Sequence, residues 1–106
     1  MNQISKFSDR LNEVMKEKKI NQTRLSELSN IPRTSIVYYC GGIYQPNNIK
    51  TYKLAETLGV SLLWLMGYDV PRNDSTLNEI TRILESKSED ELRRVKEMIL
   101  LLFPNN

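Results

Sequence analysis

Residues 21–42, NQTRLSELSNIPRTSIVYYCGG, hold two short helical patterns separated by a tight turn. Asn21 suits an N-cap, because its side-chain oxygen can accept an orphan backbone N–H of the first turn. Leu25 and Leu28 then share one face at helical spacing, with Gln22, Thr23, Arg24 and Glu27 on the others. Asn30 tolerates the left-handed conformation that ends a helix, and Pro32 suits the start of the next, where a missing N–H costs nothing. Ile36 and Tyr39 form the inward face of the second helix. Arg33, Thr34, Val37 and Tyr38 are left facing outward, and Gly41-Gly42 ends the helix.

Two helices joined by so short a turn make the helix-turn-helix pattern. The landmarks extend well beyond it. Gln22-x-x-Leu25-Ser26 is followed by Asn30-Ile31-Pro32-x-x-x-Ile36 and Gly42-x-x-x-Pro46. Leu54-Ala55-x-x-Leu58-Gly59-Val60-Ser61 and Trp64-Leu65-Met66-Gly67 complete the set. Over residues 6–70 the chain resembles the Cro/C1-type helix-turn-helix family of phage repressors and related bacterial regulators. The closing phrase WLMGYDVP is similar to the phage repressors of that family.

The resemblance implies an all-α fold, with a five-helix, lambda-repressor-like DNA-binding domain over residues 1–70. It also implies that the 32–40 helix lies in the major groove of a palindromic operator bound by a dimer. By position in the motif, Arg33, Thr34, Val37 and Tyr38 face base edges. Arg33 can give a guanine two hydrogen bonds, while Thr34 and Val37 offer methyl groups to a thymine methyl. The competing readings are a solvated charge for Arg33 and a surface-packed aromatic for Tyr38. Gln22 matches the family glutamine that touches a phosphate and supports the recognition helix. Arg24, the backbone N–H of Gly41, Tyr44 and Gln45 are further phosphate candidates. The loop carrying Tyr44 and Gln45 is neutral here, where the family often has it basic.

One departure from the family pattern is coherent. Relatives often place an Arg at the position of Met15 and a Glu at that of Cys40, forming a semi-buried ion pair. Removing one charge would strand the other at a cost of ~3–5 kcal/mol, whereas replacing both with apolar groups can be neutral. Met15 and Cys40 are therefore expected to pack together, which makes Cys40 structural rather than redox-active or metal-binding.

The flanking segments follow the same logic. Residues 5–18 read as a first helix with Phe7, Leu11, Val14 and Met15 inward and Asp9, Arg10, Glu13 and Lys16 to Lys18 solvated. Asn47 caps a helix with Ile49, Tyr52, Leu54, Ala55 and Leu58 apolar, and Ser61 caps a short one over Leu62–Met66. Trp64 reads as a core plug rather than a ligand-stacking group. Residues 71–75 read as a linker, and residues 76–106 as a two-helix C-terminal hairpin. Its capping boxes are Thr76 with Glu79 and Ser88 with Glu91. The last helix carries Leu92, Val95, Met98, Ile99, Leu102 and Phe103, too apolar a set for one small neighbour to cover. Either it folds back onto the first domain or it pairs with a second chain. The second reading is preferred, because a contiguous apolar patch marks an interface and a two-fold dimer suits a palindrome.

Composition excludes more than it identifies. The net charge is only +2, but residues 1–71 carry nine Lys/Arg against six Asp/Glu and residues 72–106 carry six against seven. That asymmetry suits phosphate binding by the first part. With no His and a single Cys, neither a Ser-His-Asp nor a Cys-His site can be built, nor a zinc site, so no enzyme activity, metal or cofactor is expected. The 35 residues beyond Pro71 are too few for the self-cleaving peptidase domain of some phage repressors, so induction would need an antirepressor or other inducing protein such as an external protease, or dilution. No apolar run approaches a membrane span and the N-terminus has no signal core, so a cytoplasmic protein without a membrane partner is expected. The reading is thus a sequence-specific transcriptional regulator of phage or mobile-element type. The alternative is an antitoxin or adaptor whose C-terminal helices bind another protein.

Overall fold

Side-chain caps set where most of the helices begin. In the computed structural model, which describes residues 2–104, the order is α1 (Phe7–Lys18), α2 (Gln22–Ser29), α3 (Arg33–Cys40), α4 (Asn48–Leu58), α5 (Leu62–Leu65), α6 (Thr76–Glu85) and α7 (Glu89–Leu102). Residue 1 and residues 105–106, the outer ends of the two expected segments, lie outside the described residues. The Asn21 side chain accepts from Arg24 N–H at 2.7 Å, Asn47 from Lys50 N–H at 2.9 Å and Ser61 from Trp64 N–H at 3.3 Å. Each satisfies a donor that the first helical turn leaves orphaned. Asn30 ends α2 at φ 59°, the left-handed conformation its short polar side chain tolerates. Ser88 and Glu91 form the expected capping box on α7. The box expected at Thr76 is absent, because Thr76 is already inside α6; the Asp74 side chain accepts its N–H instead.

The core lies among α1 to α5. Phe7, Leu11, Val14 and Met15 from α1 meet Leu25, Ile36, Tyr39, Leu54, Ala55, Leu58, Trp64 and Leu65, all buried. Two apolar positions expected inward are not. Leu28 and Ile49 are exposed, whereas Ser29, next to Leu28, and Thr51, two residues after Ile49, are buried. Both hydroxyls donate to the carbonyl four residues back, Ser29 to Leu25 at 2.7 Å and Thr51 to Asn47 at 2.8 Å. A small side chain satisfied by its own helix lets a neighbouring helix approach closely, which a leucine there would prevent.

Arg10 is the larger correction. Read as part of a solvated face, it is buried; its Nη1 donates to the carbonyls of Trp64 at 2.5 Å and Tyr68 at 2.7 Å. Its guanidinium lies 4.8 Å from the Trp64 ring centre, and that of Arg72 lies 5.3 Å from it. Trp64 is thus a core plug, buried as expected, and also the surface on which two cations from distant parts of the chain rest. Arg72 continues to Glu17 as an ion pair, and holds that carboxyl below its ordinary range. The N-terminal segment closes over the same corner, where Ile4 and Ser5 N–H both donate to the Gly67 carbonyl. Gly67 sits at φ +101°, and a Cβ there would collide with the Ser5 carbonyl.

Residues 71–75, expected as a linker, are therefore tied to the first unit, and Ser61 N–H donates to the Arg72 carbonyl as well. The attachment extends into α6. The buried Asn78 side chain donates to the Val60 carbonyl at 3.0 Å and accepts from Leu62 N–H at 2.8 Å, and Arg82 pairs with Glu56 at 2.6 Å. Of the expected C-terminal pair, α6 lies against α4 and α5 while α7 stands off. Every residue of α7 but the half-buried Val95 is exposed. The radius of gyration, 15.2 Å, exceeds the ~13 Å of a compact chain this long, as a projecting helix requires. Among the described residues no helix is long and apolar enough to cross a membrane.

Arg10→Met keeps the volume and removes the donor for two buried carbonyls. It should lower unfolding free energy by about 2–4 kcal/mol in urea titration. A loss below ~0.5 kcal/mol would mean water replaces the guanidinium without cost.

Candidate nucleic-acid interface

An eight-residue helix has little stability of its own, so α3 takes its orientation from what it packs on. Ile36 and Tyr39 are seated in the core, Tyr39 edge-on to Phe7 with ring centres 6.4 Å apart. The turn before α3 is pinned from α2. Ser26 Oγ donates to the Ile31 carbonyl at 2.6 Å, and Ile31, buried, donates its N–H to Ser29 Oγ. The far end is pinned from α1, where Asn12 Nδ2 donates to the Cys40 carbonyl at 2.8 Å and Cys40 Sγ lies 3.6 Å from Met15 Sδ. The expected apolar substitute for an ion pair is therefore in contact, between α1 and α3.

With its inner pair seated, α3 turns Arg33, Thr34, Val37 and Tyr38 outward, and all four are exposed. Val37 and Tyr38 retain 40% and 46% of their surface, far more than a core position would. Tyr38 is not free to swing. Its ring lies 5.3 Å from that of Tyr44, which also meets Tyr39 edge-on at 5.6 Å. These contacts fold the loop after α3 back against the helix and restrict the aromatic side chain beside it.

The other expected contacts gather in two depressions flanking α3. In one, Gln22 at the start of α2 and Arg33 at the start of α3 share a surface with Asn12 and Lys16 of α1. The supporting glutamine and the leading arginine are thus brought together by the tertiary fold. In the other, Tyr44 and Gln45 share a surface with Gly41, Gly42 and Lys6. Arg24 is exposed at the side of α2 and already paired with Glu27 at 3.2 Å, a contact weak enough to exchange.

The backbone N–H of Gly41, a phosphate candidate in the sequence, is engaged within its own helix end. It donates to the Val37 carbonyl at 3.0 Å, and that of Gly42 to Tyr39. Amides at a helix C-terminus point back into the helix, and the carbonyl end of the dipole repels an anion. Sequence reasoning passed over Lys6 and Lys16. Both are exposed, and each lies in one of the depressions. Only charge could have marked them, and α1 has too many charges for that signal to single them out.

Residues 11–65 match the helix-turn-helix family. A crystal structure of a transcriptional regulator from Listeria innocua is similar, with a TM-score of 0.56 and 27% identity over 96% of this chain and 99% of that one. No curated relative matches the chain by sequence.

Partial burial pushes the Cys40 thiol up from its ordinary value, with Gln22 beside it offsetting part of the effect. A raised value leaves little thiolate, the reactive form, at neutral pH. At pH 8 the folded protein should therefore react with a thiol reagent more slowly than a free cysteine peptide, and at the peptide's rate once unfolded in urea. Equal rates would place the sulfur in water and break the proposed packing on Met15.

Proposed function

Because the chain belongs to the helix-turn-helix family, we propose that it binds duplex DNA as a transcriptional regulator, with α3 in the major groove. The observation that carries this is the arrangement of α3: a buried inner pair, and four exposed side chains of the kinds that read base edges. Arg33 at the leading end donates two hydrogen bonds to a guanine, worth ~1–3 kcal/mol of discrimination. Thr34 and Val37 meet thymine methyl groups, and Tyr38, restrained by Tyr44, presents a ring and a hydroxyl. Gln22, Arg24, Tyr44 and Gln45 contact phosphates on either side, joined by Lys6 and Lys16. The positive end of α2 beside Gln22 favours a phosphate there.

The active form in this reading is a two-fold dimer on a palindromic operator, acting as a repressor of phage or mobile-element type. Its support is the apolar surface of α7. Met98, Ile99, Leu102 and Phe103 keep 63%, 49%, 69% and 72% of their surface, a patch water would not tolerate uncovered. Leu92 and Val95 continue that patch toward the start of the helix.

Selection of bound sequences from random duplex DNA at physiological salt tests the reading directly. The expected result is a palindromic consensus. Arg33→Ala should relax specificity at one base pair per half-site and cost ~1–3 kcal/mol, while Gln22→Ala weakens binding evenly across sequences. Uniform loss for Arg33→Ala would make it a phosphate contact only, and no enrichment would leave non-specific attraction that salt abolishes. Ile99→Asp should give monomers by light scattering with helicity nearly intact. Global unfolding instead would mean that α7 belongs to its own core.

A further inference from the structure

Between α4, α5 and α6 runs an open apolar groove of about 560 Å³. Ile49 on one bank is 70% exposed, and Leu63 and Met66 form the floor with Leu77 on the far bank. Leu77 belongs to a stripe of α6 that continues outward through Ile80, Ile83 and Leu84 at helical spacing, with Ile80 and Ile83 exposed. The groove therefore opens onto a wider apolar bank. The same chain carries a helix without a seat, for the apolar residues of α7 other than the half-buried Val95 are exposed to solvent.

Charge separates this groove from any other apolar surface. Glu85 is the one charged side chain among the described residues that line it. On α7, Lys96 lies beside apolar side chains, with Leu92 four residues before it, Ile99 three after and Leu100 four after. Among the described residues neither Glu85 nor Lys96 belongs to an ion pair, whereas Arg93 is engaged by Glu89 and Asp90 of its own helix. Arg94 lies on the opposite side of α7.

Resting on the dimer reading above, we propose that the α4–α5–α6 groove is the seat of α7 from a second copy of this chain. The exchange is reciprocal, with Lys96 of each protomer against Glu85 of the other. An amphipathic helix laid in an apolar groove is a recurring mode of recognition, and reciprocal exchange under two-fold symmetry closes the assembly at two chains. It also covers both uncovered surfaces at once. Pairing of the two α7 helices with each other would leave the groove open.

Charge reversal tests the exchange in solution by sedimentation velocity on the full chain. The wild type should dimerise. Glu85→Lys sets lysine against Lys96, and Lys96→Glu sets glutamate against Glu85. Each variant alone should dimerise at least about tenfold more weakly, since like charges then meet at both symmetric contacts. Mixed one to one, the two variants should recover the dimer as a heterodimer, because both contacts again join opposite charges. Both positions are exposed, and recovery on mixing is something that misfolded variants would not show. A wild-type dimer indifferent to either substitution overturns the exchange and leaves the dimer reading standing, as does weakening that mixing fails to reverse. A monomeric wild type overturns the dimer itself and the exchange with it.

Discussion

The seating of Ile36 and Tyr39 in the core governs everything on the outer face of α3. Eight residues cannot hold a helix against solvent unaided, and a rotation by one position would swing Arg33 or Tyr38 out of register with its neighbours. Two buried side chains three apart define one rotation. Asn12 at the C-terminal end of α3 and Ser26 with Ser29 at the N-terminal turn prevent it from sliding. A surface that reads bases needs side chains held in place before the DNA arrives, since ordering them on binding would cost affinity. Tyr38 illustrates the economy of the arrangement: its contact with Tyr44 restricts it while nearly half of its surface stays exposed.

A second layer of constraint comes from polar groups buried at helix junctions. Arg10 joins α1 to the carbonyls that close α5 and to the ring of Trp64, and Asn78 joins α6 to the turn before α5. Both find partners, and among the described residues no buried side-chain donor or acceptor lacks one. A satisfied buried polar group holds one arrangement against its alternatives, because any shift strands it. The consequence for architecture is that the division falls later in the chain than composition suggests. Residues 71–75 and α6 are fastened to the five-helix unit, and α7 alone is left to meet something else.

Local signals and tertiary choices separate cleanly along the chain. The caps at Asn21, Asn47, Ser61 and Ser88 were legible because an N-cap is decided within four residues, by a side chain and an amide it can reach. The inward faces of α1 and α3 were legible because each has a stripe of large apolar residues at helical spacing. Leu28 and Ile49 misled because hydrophobicity states only that burial would be favourable. Which of several nearby positions is buried depends on how close the neighbouring helix comes, and there Ser29 and Thr51 allow an approach that a larger side chain would block. Gly41 is a different case. Its conformational freedom was evident, but whether its amide was already taken depended on the geometry of the helix end.

From the sequence alone came the helices, their caps, the outward quartet on α3 and the matched apolar pair Met15 and Cys40. The first three rest on contacts close in sequence or on a pattern that any helix of that composition would repeat, and the pair was implied by the resemblance to a family that often carries an ion pair at those positions. Only the tertiary structure could bury Arg10 and Asn78, bring Gln22 beside Arg33, and set Lys6 and Lys16 at the flanks of α3. Those outcomes depend on which carbonyls, rings and helix ends meet across tens of residues. A charged or amide side chain carries no local mark of the partner it will find, because the partner is assembled only when the helices pack.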